Sequence, residues 1–218
     1  MEDNNINYEY ILRYLKRTLK ADEGKIEQVR KAAVEMNLPI ARIETVRFLQ
    51  TLIASSKAER LLEIGTAIGY SGLSMLEAAG ENGSLVTVEK SPDLAKLAKE
   101  NFEGTNTTLI EGDGVKVLET LEGEFDFAFV DAAKGQYGAM LDNLMRLVKT
   151  GGIIVSDNVL YKGMTATDDL RERREITIIK RMRAYLDMLC KDERLMTSIV
   201  PIGDGLAISY IIRKDENI

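Results

Sequence analysis

Histidine and tryptophan are absent from the 218-residue sequence, and cysteine occurs once, at Cys190. The lack of histidine excludes a Ser-His-Asp triad, a histidine-ligated metal and an imidazole general base. A single cysteine excludes an internal disulfide and a cysteine-rich zinc site. Any proton transfer must therefore use Lys, Asp, Glu, Tyr or water.

Long apolar runs and a secretion signal are also missing. No stretch approaches the ~20 apolar residues that a membrane-spanning helix needs. The first residues, MEDNNINYEYILRYLKR, lack a basic start followed by an apolar segment. Prolines number three, and there is no repeat or Pro/Gly-rich linker. We therefore expect a cytoplasmic protein with no membrane partner, in which residues 1–218 form one domain, with N-terminal helices over 1–56 and a core over 57–218.

Basic residues are outnumbered by acidic ones, 29 to 35, so the net charge is −6. This balance argues against a general nucleic-acid-binding protein. One stretch departs from the average: RERREITIIKRMR, at Arg171–Arg183, holds six basic and two acidic residues. On charge alone this run is either a solvated helix face or a contact surface for phosphate groups.

The apolar pattern predicts an α/β fold. Residues 7–54 carry apolar side chains at spacings of three and four, which predicts helices. From residue 60, helical segments alternate with the short apolar runs RLLEIG, SLVTVE, TTLIEGD, FDFAFVD and GGIIVSD. Such alternation indicates a parallel sheet with helices on both faces. After a helix predicted over about 168–190, TSIVPIGDGLAISYIIR predicts an antiparallel hairpin at a sheet edge.

Small residues follow the first predicted strand in LLEIGTAIGYSG, where Glu63 ends the strand and Gly65 and Gly69 precede a helix. They let the backbone approach a ligand closely, although the spacing does not match the dinucleotide fingerprint. Glu89 ends the second strand, where a carboxylate can accept hydrogen bonds from ribose hydroxyls. Asp113 follows the third strand and can cap the next helix or accept from an adenine amino group. Ordinary turns and caps are the alternative.

Acidic residues end the fourth and fifth predicted strands, at Asp131 and at Asp157-Asn158. Two carboxylates and an amide oxygen suit Mg²⁺, Mn²⁺ or Ca²⁺. Without a cation, two close carboxylates would repel each other. The alternative is that Asp157 and Asn158 form a turn while Asp131 caps the next helix.

From about residue 35 onward, the glycine loop followed by Glu89 and Asp113 resembles the class I S-adenosylmethionine-dependent methyltransferases. The resemblance implies a Rossmann-like sheet of seven strands whose last strand is antiparallel, and S-adenosyl-L-methionine as the cofactor. It also implies that Glu89 binds the ribose and that Asp113 lies near the adenine. The cofactor-binding residues that it implies are Ala41, Glu63, Gly65, Gly69, Ser71, Glu89, Asp113, Gly114 and Asp131.

FVDAAK and SDNVLYKG resemble the metal-dependent O-methyltransferases of the caffeoyl-CoA and catechol type. The resemblance implies that Asp131, Asp157 and Asn158 hold a divalent cation that orients acceptor oxygens and favours an anionic oxygen. It further implies that Asp131 and Lys134 are catalytic residues, with Lys134 assisting deprotonation. For Lys134, a surface lysine that contacts phosphate or solvent is the alternative.

EIGTAIGYS, FVDAAKGQY, DNVLYKG and PIGDGLAIS together resemble the bacterial tRNA 5-hydroxyuridine methyltransferases, which produce 5-methoxyuridine at the wobble position. The expected partner is then a tRNA anticodon loop. The 5-hydroxyl and 4-carbonyl of that acceptor form a vicinal oxygen pair, as the hydroxyls of a catechol do. The residues expected to contact RNA are Lys162, Arg171, Arg173, Arg174, Lys180, Arg181 and Arg183.

Two alternatives stay open at this point. A small catechol or hydroxylated aromatic would need the same chemistry and a closed apolar lid, and the short polar segment GMTATDDL after Lys162 argues against a deep lid. A non-catalytic S-adenosylmethionine- or RNA-binding protein would not require Lys134 or the acidic set. The enzymes that this chain resembles are commonly homodimers. We therefore expect a homodimer, with the N-terminal helices either at the interface or over the active site.

Overall fold

The computed structural model describes residues 5–170 and 172–214. The helices of this part of the chain are α1 (Glu9–Thr18), α2 (Gly24–Glu35), α3 (Ile43–Ser56), α4 (Tyr70–Ala79), α5 (Pro92–Asn101), α6 (Gly114–Thr120), α7 (Tyr137–Leu147) and α8 (Ile176–Lys191). The strands are β1 (Arg60–Ile64), β2 (Ser84–Glu89), β3 (Thr107–Glu111), β4 (Phe125–Val130), β5 (Val148–Ser156), β6 (Leu195–Val200) and β7 (Leu206–Ile211). Short 3₁₀ turns at Lys134–Gln136 and Arg173–Glu175 lead into α7 and α8.

The strands pair in one seven-stranded sheet in the order β3-β2-β1-β4-β5-β7-β6. The first five strands of this order run parallel, whereas β7 is antiparallel to both β5 and β6. The predicted Rossmann-like fold class is therefore confirmed, including the antiparallel last strand and the hairpin at the sheet edge.

The strand register aligns the ends that carry the candidate site. Ile64 of β1 pairs with Val130 of β4, and Val130 pairs in turn with Ser156 of β5. The next residue on each of these three neighbouring strands therefore leaves the sheet at the same edge. These residues are Gly65, Asp131 and Asp157.

Helices cover both faces of the sheet with apolar side chains. On one face α6, α7 and α8 pack a core that includes fully buried Tyr137 and Tyr185. On the other face α2, α3, α4 and α5 pack a second core around Leu49 and Phe127. Full burial of one such apolar side chain contributes about 1.5–3 kcal/mol. None of the helices in the described chain is long and apolar enough to cross a membrane.

Two helices, α5 and α6, begin directly after a residue whose side chain caps the helix. Ser91 caps α5 by accepting a hydrogen bond from the Leu94 N–H, and Pro92 is the first helical residue. In contrast, α8 begins at Ile176 and not near residue 168, so the predicted start was wrong. Turns occupy this region instead, and the Arg183 guanidinium of α8 holds them by donating to the Thr165 carbonyl at 2.9 Å.

Candidate active site

A cleft of about 450 Å³ opens at the carboxyl edge of the central strands. The loops after β1, β2, β4 and β5 contribute Gly65, Glu89, Asp131 and Asn158 to its lining. The connection between α2 and α3 contributes Ala41, one of the predicted cofactor residues. The strand order therefore brings residues that are far apart in the sequence to one site.

The loop after β1 packs closely against the backbone at Asp131 because Gly65 has no side chain. Gly65 has a φ of +102°, and a Cβ at this position would overlap the carbonyl oxygen of Asp131. Ala67 adopts a left-handed φ of +47° without being a glycine. Its N–H donates to the Glu89 carboxylate at 2.8 Å, which stabilises this uncommon conformation.

Glu89 is fixed at the cleft by the backbone. One carboxylate oxygen accepts from the Ala67 N–H and the other from the Ser91 N–H, both at 2.8 Å. Each oxygen of an ionised carboxylate has a second lone pair that can accept a further hydrogen bond. The arrangement therefore fits the predicted contact with two ribose hydroxyls.

Glu63 and Ser71 lie behind the loop and outside the cleft lining. The fully buried Glu63 carboxylate accepts from the Ser71 hydroxyl and the Thr87 hydroxyl, each at 2.6 Å. Burial raises the pKa of Glu63 to about 7, against the opposing effect of the two hydroxyl donors. These contacts tie α4 to β1 and β2, so the two residues support the loop that the cofactor would contact.

Asp113 forms the helix cap that its position allows. It accepts from the Val115 N–H at 3.2 Å and pairs with Lys90 Nζ at 2.9 Å, and this pairing lowers the pKa of Asp113. Gly114 is packed closely, since a Cβ would lie 2.6 Å from Ile64 Cγ2. Gly69 precedes α4 with a φ of +95°. Contacts of these three residues with the cofactor stay predictions.

The acidic residues lie at the ends of β4 and β5, where Asp131 is partly exposed and both residues line the cleft. The Asp157 side chain is buried, and one of its oxygens accepts from the backbone N–H of Asn158 at 2.6 Å. Burial, reinforced by the charge of Asp131, raises the pKa of Asp157 to about 8. Burial also raises the pKa of Asp131, while the positive charge of Lys134 acts in the opposite direction.

This pair fits a divalent cation. Two like charges at neighbouring strand ends, one of them buried, are electrostatically unfavourable, and a hard cation would compensate them. Carboxylate and amide oxygens are the ligands that Mg²⁺, Mn²⁺ and Ca²⁺ prefer. No cluster of three Asp, Glu, His or Cys side chains with metal-ligating geometry exists in the described chain. The amide of Asn158 lines the same cleft and would be the third protein donor.

Asp204 lines the cleft and was missed by sequence analysis. Its carboxylate accepts from the Lys162 N–H at 2.6 Å, and its carbonyl accepts from the Leu160 N–H at 3.0 Å. The β6–β7 turn thereby holds the loop that follows Asn158. A polar residue in a turn at the functional edge of the sheet was the available signal, but the Gly-Asp-Gly sequence indicated only a hairpin.

The predicted RNA-binding run separates into paired and unpaired side chains. Arg174 forms ion pairs with Glu172 at 2.9 Å and with Glu175 at 3.3 Å. Asp168 binds Arg183 at 2.8 Å, and Arg181 donates to the Gly135 carbonyl at 3.4 Å. The run is therefore less available to phosphate than its composition suggests. Arg173 and Lys180 are exposed and form no ion pair within the described residues, Lys162 lines the cleft, and Arg171 lies outside the described residues.

Comparison with known proteins places this site in a family. The O-methyltransferase family model matches residues 16–213. A caffeoyl-CoA O-methyltransferase from Populus kitakamiensis is 32% identical over 191 residues, which cover 79% of this chain and 77% of the relative. A catechol O-methyltransferase from Niastella koreensis is 29% identical, with 95% of this chain and 99% of the relative covered.

A solved structure extends the similarity to three dimensions. The SAH-bound methyltransferase PaMTH1 from Podospora anserina matches with a TM-score of 0.81 and 26% identity, covering 94% of each chain. The family match spans the loop at Gly65, the two acids Asp131 and Asp157, and the hairpin of β6 and β7. The chain therefore belongs to the S-adenosylmethionine-dependent O-methyltransferases of the caffeoyl-CoA and catechol type.

Proposed function

We propose that this O-methyltransferase methylates the 5-hydroxyl of 5-hydroxyuridine at the tRNA wobble position. The lining of the cleft carries the proposal. Arg42, Lys134 and Lys162 line it together with the acid pair, and no aromatic side chain is among its described lining residues. Such a cleft suits an acceptor that brings phosphate groups with it better than a free aromatic ring, which proteins usually hold between apolar and aromatic walls.

The residues of this chain have separate tasks in the transfer. Glu89 orients the ribose of the cofactor, and the turn at Gly65 lets the cofactor approach the strand ends. As the acceptor oxygen bonds to the methyl carbon, the bond from that carbon to sulfur breaks and its electron pair stays on sulfur. The hydroxyl proton passes to water, and the positive charge of Lys134 stabilises the oxygen anion that remains. Correct alignment of the two reactants supplies much of the rate enhancement.

Asp131, Asp157 and Asn158 would hold a divalent cation beside the acceptor. When bound, such a cation lowers the pKa of a hydroxyl and orients neighbouring oxygens. The 5-hydroxyl and 4-carbonyl of 5-hydroxyuridine are neighbouring oxygens of this kind. Asp204 contributes by holding the loop after Asn158, which fixes the position of the amide donor.

A small catechol is the second candidate acceptor. The observation in its favour is the catechol O-methyltransferase of Niastella koreensis, whose similarity covers 95% of this chain. A catechol presents the same pair of vicinal oxygens and would need no phosphate contact. The two acceptors therefore differ in what surrounds the reacting oxygens, and a direct assay separates them.

The test is transfer of label from S-adenosylmethionine by the purified protein with Mg²⁺. One reaction contains tRNA with 5-hydroxyuridine, a second contains the same tRNA with unmodified uridine, and a third contains a simple catechol. We expect label in the first reaction only, and loss of that label with EDTA. Label in catechol alone would overturn the tRNA proposal and retain the family chemistry.

A further inference from the structure

The N-terminal helix α1 presents a row of aromatic and basic side chains to solvent. Leu12 is its buried residue. Tyr10, Arg13, Tyr14 and Arg17 follow at spacings of three and four, so they share one face of the helix. All four side chains are exposed. We call this row the α1 stripe.

The tyrosines of this region are unusually exposed for their type. Tyr10 is 63% exposed, Tyr14 is 55% exposed, and Tyr8, just before the helix, is 65% exposed. The rings of Tyr8 and Tyr10 stack with their centroids 5.5 Å apart, and the Arg17 guanidinium lies 5.7 Å from the Tyr14 centroid. Exposed rings clustered in this way mark a binding surface rather than a scatter of single apolar residues.

The charge of α1 is opposite to that of the protein as a whole. The net charge of the chain is −6, yet α1 carries Arg13, Lys16 and Arg17 against Glu9 alone. Glu9 lies 3.8 Å from Arg13, and because both side chains are exposed, the pair is weak. Aromatic rings that stack on bases, interleaved with cations that contact phosphates, are the composition of single-stranded nucleic-acid surfaces.

The start of α1 is tied to two sides of the active-site cleft. The Asn5 side chain donates to the carbonyl of Lys162 at 3.3 Å, and the Asn7 side chain donates to the carbonyl of Pro201 at 3.1 Å. Lys162 lines the cleft, and Pro201 shortly precedes the turn that contributes Asp204. The segment that leads into α1 therefore lies beside the cleft, which places α1 on the side where flanking nucleotides would leave it.

A second cavity lies between α1 and the α2–α3 connection and adjoins the cleft. It has a volume of about 390 Å³ and is lined by Leu12 and Lys16 of α1. It shares Ala41 and Arg42 with the cleft. From Tyr10 to Arg17 the stripe extends about 10 Å at 1.5 Å per residue, which is about three phosphate spacings of a stacked strand.

We propose that the α1 stripe binds the anticodon-loop nucleotides that flank the reacting uridine. The proposal rests on the tRNA acceptor proposed above. A second copy of the chain is a less suitable occupant, because α1 is about 15 Å long and about 10 Å wide. That footprint alone falls well short of the roughly 800 Å² per partner of a stable protein interface, so a homodimer would need further surface outside the stripe. Self-association through the stripe would also bury Arg13 and Arg17 of both copies, while α1 of each copy supplies only Glu9 as a partner.

The test compares RNA binding and transfer for two variants of the full chain. Arg13→Glu/Arg17→Glu reverses the charge of the stripe, and Tyr10→Ala/Tyr14→Ala removes its rings. Lys96→Glu/Lys99→Glu on exposed positions of α5 is the matched charge control, and Tyr210→Ala is the tyrosine control. The probe is an anticodon stem-loop, and its Kd is measured from low to high KCl. Circular dichroism and S-adenosylmethionine binding verify that each variant is folded.

We expect the charge reversal to weaken binding at least tenfold. The slope of log affinity against log salt should fall by about 1.4–1.8, since each of the two lost phosphate contacts contributes about 0.7–0.9. The tyrosine variant should weaken binding about tenfold for each base that loses its stacking partner, with the salt slope retained. Transfer to free 5-hydroxyuridine should not change in either variant, because the cleft is intact.

Three results would overturn the inference, and they are distinguishable. If wild type methylates tRNA and both variants bind the stem-loop normally, the α1 inference is wrong and the proposed function stands. If sedimentation shows that either variant converts a dimer to monomers with RNA binding unchanged, the stripe is a self-interface. If wild type neither binds nor methylates tRNA, the proposed function fails and the inference fails with it.

Discussion

Replacement of Asp157 by Asn should stabilise the metal-free protein and abolish its response to divalent cations. The Asp157 side chain is 3% exposed, and its pKa is raised from 3.8 to about 8 by burial and by the charge of Asp131. In the unfolded chain the carboxyl ionises near its ordinary pKa. The folded state therefore binds the proton more tightly, and the free energy of unfolding falls as the pH rises from about 4 to about 8.

The magnitude follows from the same shift. At pH 7 and without metal, Asp157 keeps its proton in the folded protein. In the unfolded chain the same carboxyl loses its proton near its ordinary pKa of 3.8, about three pH units lower. At 1.36 kcal/mol per unit, the difference is at most about 4 kcal/mol. Structural relaxation and water entry reduce such penalties in real proteins. We therefore expect Asp157→Asn to raise the free energy of unfolding by about 2 kcal/mol in EDTA at pH 7, and by little near pH 4.

The assay is urea unfolding in EDTA and in Mg²⁺. Wild type should gain about 2.7 kcal/mol when Mg²⁺ is at 100 times its Kd, whereas Asp157→Asn should gain nothing. Asp142→Asn, which changes an exposed acid on α7 away from the cleft lining, is the matched control and should behave as wild type does. A variant that is less stable than wild type in EDTA, or that Mg²⁺ stabilises equally, would refute the reasoning.

Three further changes test the cofactor loop and its support. Gly65→Ala should destabilise the fold by about 2 kcal/mol or more and weaken S-adenosylmethionine binding at least tenfold, because φ is +102° and the new methyl overlaps the Asp131 carbonyl. Glu89→Gln should raise the cofactor Kd about tenfold or more, since hydrogen bonds to a charged group contribute about 1.5–3 kcal/mol. Tyr70→Phe should lower the free energy of unfolding by about 1 kcal/mol, because the hydroxyl donates to buried Asp22 at 2.8 Å. Calorimetric titration and urea unfolding measure these effects.

Each change has a matched control in the chain. Gly104→Ala also introduces a side chain at positive φ, +79°, but into open space. Glu111→Gln removes a charge from the exposed end of β3, and Tyr210→Phe removes a half-exposed hydroxyl. Gly65→Ala with the stability of Gly104→Ala would show that the close approach to Asp131 is unimportant. Unchanged cofactor affinity in Glu89→Gln would remove the ribose contact from the account.

Local patterns predict most of the fold because they report burial and capping directly. Short apolar runs located the strands, and the cap of α5 at Ser91, followed by Pro92, is a local signal of the same kind. The start of α8 could not be predicted in this way. The turn before α8 is held by Arg183 through a contact 18 residues away, which a local pattern does not report.

Sequence analysis located the candidate site better than the tasks of its individual residues. The strand order brings Gly65, Asp131 and Asp157 together, and parallel topology makes that convergence predictable. Whether a carboxylate at a strand end faces a cleft or supports a loop depends on side-chain packing. Glu63 and Glu89 are alike in sequence context, yet one is enclosed by two hydroxyls and the other lines the cleft.

Nucleoside mass spectrometry of tRNA treated with the purified protein tests the central claim most directly. The tRNA carries 5-hydroxyuridine at the wobble position, and the reaction contains S-adenosylmethionine and Mg²⁺. The account predicts that 5-hydroxyuridine disappears and 5-methoxyuridine appears in equal amount, with Asp157→Asn inactive. Unchanged 5-hydroxyuridine in a preparation that methylates a catechol would contradict the tRNA acceptor.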